Sequence, residues 1–206
     1  MQSRSVLSAN LRAAGCAVFF CLAAPAAQAQ DALYPDPPPP DAVFVRWLGT
    51  PAEGEAVRRF MGVEIPAGTV EETAYAAVSA ALLDGASPGS FYTVLSSPEQ
   101  PPRIVAEPPR PDRSKVHLLM SCEAGPVQLE VPEGGPVVIA PVAPFTAGSR
   151  AVNPVAAPLA VRNSASGELL GSFDLQLSRG RNLTFLACGG AVELVEHRFH
   201  GSLGAG

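Results

Sequence analysis

The sequence predicts an all-β fold: two small β-sandwich domains joined by a short Pro-rich linker, after a cleaved signal peptide. Three observations carry this. A pair of extended runs in residues 89–107 returns in residues 180–196, with Gly89, Thr93, Leu95 and Val105 matched by Gly180, Thr184, Leu186 and Val195. The first copy ends in the break EPPRPDRS, residues 107–114, which reads as a hinge. The 22 Pro and 19 Gly of the 206 residues are spread between short apolar runs, a pattern of many strands and many turns. The stretch 89–107 is expected to be architectural, with no chemistry in it.

Residues 1–30 read as a secretory leader. Arg4 and Arg12 form a positive start, residues 13–24 an apolar centre, and Ala27-Gln28-Ala29 a small-residue cleavage signal. Cys16 invites a lipoprotein reading, but Arg12 leaves almost no apolar run before it. The expected location is the periplasm. Without Arg4 and Arg12 the net charge of −5 becomes −7, most of it in residues 31–106. That balance excludes a basic groove for nucleic acid.

Cys122 and Cys188 are the cysteines that outlast the leader, and in an oxidising compartment they are a candidate disulfide. Two free buried thiols are the alternative. Neither cysteine sits in a Cys-x-x-Cys redox motif.

Residues 31–42 form a Pro-rich arm with Tyr34 as its one large side chain. Strands are expected at 44–48 and 58–65. Arg46 should face away from Val45 and Trp47, with Trp47 in the core and Arg46 at the surface. Residues 69–84 are ambiguous. Thr69 and Glu72 have capping-box spacing before an Ala-rich run, which leans towards a helix, while 73–79 also reads as a strand with Tyr75 and Ala77 on one face. Strands at 91–95 and 103–106 close the first domain, 43–106. In the second domain, 115–200, they are expected at 116–122, 127–131, 137–140, 159–162, 168–177, 183–187 and 191–199. Residues 201–206 are expected to be a disordered tail.

The search for chemistry finds no catalytic motif, no cofactor motif and no metal site. No Gly-Asp-Ser opening block is present to set a serine nucleophile. His117 reads as a structural histidine in a strand. His197 and His200 are three apart, which places them on opposite faces of a strand and suits no shared metal. Asn182 opens a sequon that a bacterial-type leader makes a chance match.

Ala32-Leu33-Tyr34-Pro35, Phe44-Val45-Arg46, Phe91-Tyr92-Thr93-Val94, residues 105–109 and Asn153-Pro154-Val155 together resemble the AlgF family, periplasmic accessory proteins of alginate O-acetylation. The matches occur in order across most of the chain after the leader. Cys122, Cys188 and the Ala-rich 69–84 depart from the family pattern. The resemblance implies two β-sandwiches and moves 73–79 towards a strand. It also implies a non-catalytic adaptor in O-acetylation of an exopolysaccharide, alginate or a relative such as cellulose. The implied partners are a membrane-bound O-acyltransferase of the MBOAT type and SGNH-type periplasmic acetyltransferases, with Tyr34 and Arg46 as candidate contacts and only weak contact with polysaccharide. Two other classes stay open: a carbohydrate-binding module, for which the aromatics are few, and an acetyl-carrying or esterase enzyme with an unrecognised Ser/His site.

Overall fold

A computed structural model describes residues 38–49, 57–66, 73–97, 100–110, 112 and 115–202. The leader and Tyr34 lie outside the described residues. The described residues fall within one compact unit. They are all-β, with no α-helix among them and one 3-10 turn at Ala80–Leu82.

The first half is one sheet and a hairpin. Strand β1 (Ala42–Gly49) is rich in β-branched and aromatic residues and lies between β4 (Tyr75–Ser79), antiparallel, and β5 (Phe91–Ser97), parallel. Strand β6 (Gln100–Ala106) continues the sheet antiparallel to β5. The hairpin of β2 (Val57–Phe60) and β3 (Val63–Pro66) turns at Met61-Gly62, both at positive φ (43° and 89°). A single strand over 58–65 is therefore corrected to two, because a two-residue turn with both φ positive reverses the chain. The core on this side joins Val43, Val45, Ala76, Val78 and Val94 to Phe60 of the hairpin, with Trp47 packed against them.

Residues 75–79 take the strand that the local pattern placed second. Each of Tyr75, Ala76, Ala77 and Val78 is buried, so both faces of the segment are covered. An amphipathic surface helix leaves one face to solvent. Ladder pairing with β1 and burial on two sides outweigh an alanine propensity of a few tenths of a kcal/mol per residue.

The second half is a sandwich. One sheet is ordered β10 (Ala147–Ala151), β7 (Val116–Ser121), β13 (Leu183–Cys188), β14 (Ala191–Glu196). The facing sheet is ordered β12 (Leu169–Leu177), β11 (Val155–Asn163), β8 (Val127–Glu130), β9 (Val137–Val142). Leu119, Leu129, Val161 and Phe185 anchor the core between them. Strand β10, AGSRA, carries almost no strand signal. Its place is set by packing: a Cβ on Gly148 would lie 2.6 Å from Val142 and 2.7 Å from Ile139, side chains of β9.

The repeat seen in the sequence is a repeat of sheet topology. In β4-β1-β5-β6 and in β10-β7-β13-β14 the two central strands are parallel and the flanking pairs antiparallel. Thr93 is opposite Val105 in the first sheet, and Thr184 is opposite Val195 in the second. A third core joins these two sheets, with Leu48, Leu95 and Val105 of one against Leu118, Met120, Leu186 and Val195 of the other. The central strands of both sheets are thus buried on two faces, which explains why β1 is apolar from Ala42 to Leu48 apart from Arg46, and β7 apart from His117 and Ser121.

The last strand, β15 (Phe199–Ser202), leaves the second half and pairs parallel with β4 of the first. The strand expected over 191–199 is therefore two, Gly201 and Ser202 of the expected disordered tail belong to β15, and residues 203–206 lie outside the described residues. Tyr75 N donates to the Arg198 carbonyl at 2.8 Å as the chain crosses over.

Candidate functional site

Alternation along β1 sends Val43 and Val45 into the first core and Phe44, Arg46 and Leu48 to the seam between the sheets. Arg46 does face away from Val45, but the seam covers it completely, at 0% exposure. The expectation of a surface Arg46 open to a partner is corrected, because the second sheet packs over the face that a lone domain would leave to water.

A polar cluster closes around this guanidinium. Arg46 Nε donates to Thr93 Oγ1 at 3.0 Å, and Nη2 donates to Thr184 Oγ1 at 2.7 Å and Glu107 Oε1 at 3.4 Å. Glu107 Oε1 also accepts from Thr93 Oγ1 at 2.6 Å and from the Tyr75 hydroxyl at 2.7 Å. Arg110 Nη2 donates to the Tyr75 hydroxyl at 2.5 Å and, in a close ion pair, to Glu107 Oε2. Glu107 and Arg110 belong to the segment read as a hinge. The start of that segment is pinned, since Glu107 N also donates to the Phe91 carbonyl at 2.9 Å.

Aromatic rings enclose the cluster. The Arg46 guanidinium stands 4.4 Å from the Tyr75 ring centroid, and that of Arg110 stands 3.8 Å from Phe91. Phe44 and Phe91 stack at 4.7 Å, and Phe199 of the crossing strand stacks on Tyr75 at 5.5 Å. Guanidinium groups are more weakly hydrated than ammonium, so they suffer less from this enclosure than lysine would.

Burial sets the protonation states. It raises the Tyr75 phenol far above its usual range, so Tyr75 stays neutral and donates to Glu107. Burial first, then the fields of Arg46 and Arg110, push His197 down to about 2. His197 is therefore a neutral imidazole, with Nε2 2.7 Å from Thr184 Oγ1. Burial lowers His117 as well. Arg46 is drawn down by the same desolvation yet remains a cation, as arginine does.

Thr184 and His197 form a hydroxyl–imidazole pair, the contact a nucleophile and its base would make. Thr184 is wholly buried and shares its oxygen with Arg46, so the pair acts as a structural lock. The Ser/His alternative gains nothing from it. No group of three or more His, Cys, Asp or Glu able to hold a metal occurs among the described residues. The side chain of His200 lies outside those residues.

Cys122 and Cys188 are joined as a disulfide with Cα atoms 5.0 Å apart, across a separation of 66 residues. The bridge ties the exit of β7 to the end of β13 beside the seam core.

Sequence reasoning missed Thr93, Glu107, Arg110, Tyr75, Thr184 and His197 as one group. The signal available was the recurrence of Thr at equivalent places in the repeat, Thr93 and Thr184.

Against known proteins, no family model matches the chain. A curated protein aligns at 33% identity over 75 residues, which is 36% of this chain and 35% of its own length: the alginate biosynthesis protein AlgF of Pseudomonas aeruginosa. The chain resembles AlgF. It spans about a third of the length of the curated relative it matches. Among solved structures, the C-terminal domain of AlgF from P. aeruginosa is matched at 21% identity and a TM-score of 0.36, over 41% of this chain and 99% of that one.

Proposed function

We propose that this protein is a non-catalytic accessory protein of exopolysaccharide O-acetylation, working in the periplasm as an adaptor. The observation that carries the reading is the 33% identity to AlgF, an alginate biosynthesis protein. The polymer is alginate or a related exopolysaccharide. The partners are a membrane-bound O-acyltransferase of the MBOAT type and SGNH-type acetyltransferases, and the leader-like residues 1–30 route the chain to them.

The physical character of the molecule supports an adaptor. Its polar centre is sealed between two sheets, so its strongest interactions are internal. A shared core, a buried ion-pair cluster and a crossing C-terminal strand all join the two halves. Such a body presents its outer surfaces at a fixed spacing, which suits the bridging of two partners.

The test is a clean deletion in the host, with polymer yield and polymer-bound acetyl measured separately. Polymer should still form, without acetyl groups, and the wild-type gene supplied in trans should restore them. Acetylation retained in the deletion overturns the proposal.

A further inference from the structure

Beside the buried cluster lies a cavity of about 190 Å³ between residues 88–91 and 107–110. Its wall shares Glu107 and Arg110 with the cluster and adds Ser90, Phe91, Pro108 and Pro109. The charges behind the wall do not balance. Among the described residues, Arg46 and Arg110 are two cations against the single carboxylate of Glu107. Tyr75, His117 and His197 are neutral neighbours and supply no counter-charge. Asp112 is paired with Lys115 at 3.3 Å.

Donors are also left over. Among the described residues the polar contacts of Arg110 run through Nη2, and its Nε is buried with no acceptor. Arg46 Nη1 is in the same position. A buried donor without a partner costs about 1–3 kcal/mol, more on a charged group, so an acceptor that reaches it is strongly favoured.

We propose that this cavity binds a small organic monoanion, a carboxylate with a short apolar tail, whose oxygens accept from the guanidinium of Arg110. A carboxylate matches the planar fork of a guanidinium. One negative charge cancels the surplus, whereas Glu107 on the same wall repels a dianion such as sulfate. Phe91 and the prolines at 108 and 109 provide an apolar wall for the tail. The site stands independently of the function proposed above.

The test is a titration of 15N-labelled protein with sodium propionate, following the Arg110 Nε–H resonance and the amides of Gly89 and Ser90. Sodium chloride and sodium sulfate at matched ionic strength are the controls. A saturating shift is expected, half-complete at about 1–10 mM, with neither control reproducing it. Ser90→Leu, which fills the cavity, and Pro109→Glu, which adds a like charge at an exposed position, should each weaken binding at least tenfold while keeping a dispersed spectrum. A shift that rises linearly with propionate, one that chloride or sulfate reproduces, or one unchanged by Pro109→Glu overturns the proposal.

Discussion

Arg46 Nη2 donates to Thr184 Oγ1 across 2.7 Å, a bond between residues 138 apart that ties β1 of the first half to β13 of the second. Thr93, the repeat counterpart of Thr184, accepts from Nε of the same guanidinium at 3.0 Å. One arginine is thus held by the same residue type from both copies of the repeat. The seam is specified by these bonds as well as by the apolar core beneath them.

Removing Arg46 should be costly. Arg46→Ala strips two threonines and a carboxylate of their donor in a sealed site, a loss of about 3–5 kcal/mol. Urea unfolding should show the free energy of unfolding falling by that amount, with the midpoint moving to lower urea. Arg46→Lys should recover only part of it, since an ammonium lacks the planar fork that reaches Thr93 and Thr184 together. A variant within 1 kcal/mol of wild type would show the cluster to be incidental.

Acid should loosen the protein before its carboxylates titrate. His197 has a folded pKa of about 2 against an ordinary value of 6.5. The unfolded chain therefore binds the extra proton between these values. The stability this group contributes is full above pH 6.5 and is lost as pH falls, with a slope of up to about 1.4 kcal/mol per pH unit. His117, also lowered by burial, acts in the same direction. Between pH 4.5 and 6.5 the denaturation midpoint should fall steadily, and His197→Gln should flatten that fall. Asp41 and Glu130, both lowered chiefly by side-chain hydrogen bonds, add their losses only below that window.

The bridge between Cys122 and Cys188 closes a loop of about 65 residues, worth about 4 kcal/mol by loop-closure entropy. The pair Cys122→Ser and Cys188→Ser should lower stability by that order, and reduction of the wild type should match it. Thiol titration of the denatured, unreduced protein, prepared under oxidising conditions without residues 1–30, should find no free thiol. Two free thiols would refute the bridge.

Gly148 is expected to tolerate no side chain. Gly148→Val drives its methyls into Val142 and Ile139, already 2.6 and 2.7 Å from a Cβ, and overpacking of this kind costs about 1–3 kcal/mol. Thermal melts should place the variant several degrees below wild type, while Gly134→Ala, in open space at a turn, should lose less through its positive φ of 79° alone.

Alternation and β-branched content made most strands legible, among them 91–97, 169–177 and 183–188, because strands with these signals declare themselves locally. Strand β10 did not, since AGSRA earns its place by the absence of side chains beneath β9. The pair β2 and β3 read as one strand because Met61-Gly62 is weak turn chemistry by sequence. Residues 75–79 pointed the other way for a related reason: alanine suits a helix locally and a tightly packed central strand globally.

By itself the sequence determined the all-β class, the repeat and the AlgF resemblance, since each is written in residues close together or in order along the chain. What only the tertiary structure decided is what the two copies do to each other. Whether Arg46 meets water or a second sheet depends on residues 138 positions away, and no local period carries that information. Thr93 and Thr184 are ordinary strand residues until the sheets close on one guanidinium, and Glu107 and Arg110 are hinge residues until the same closure buries them.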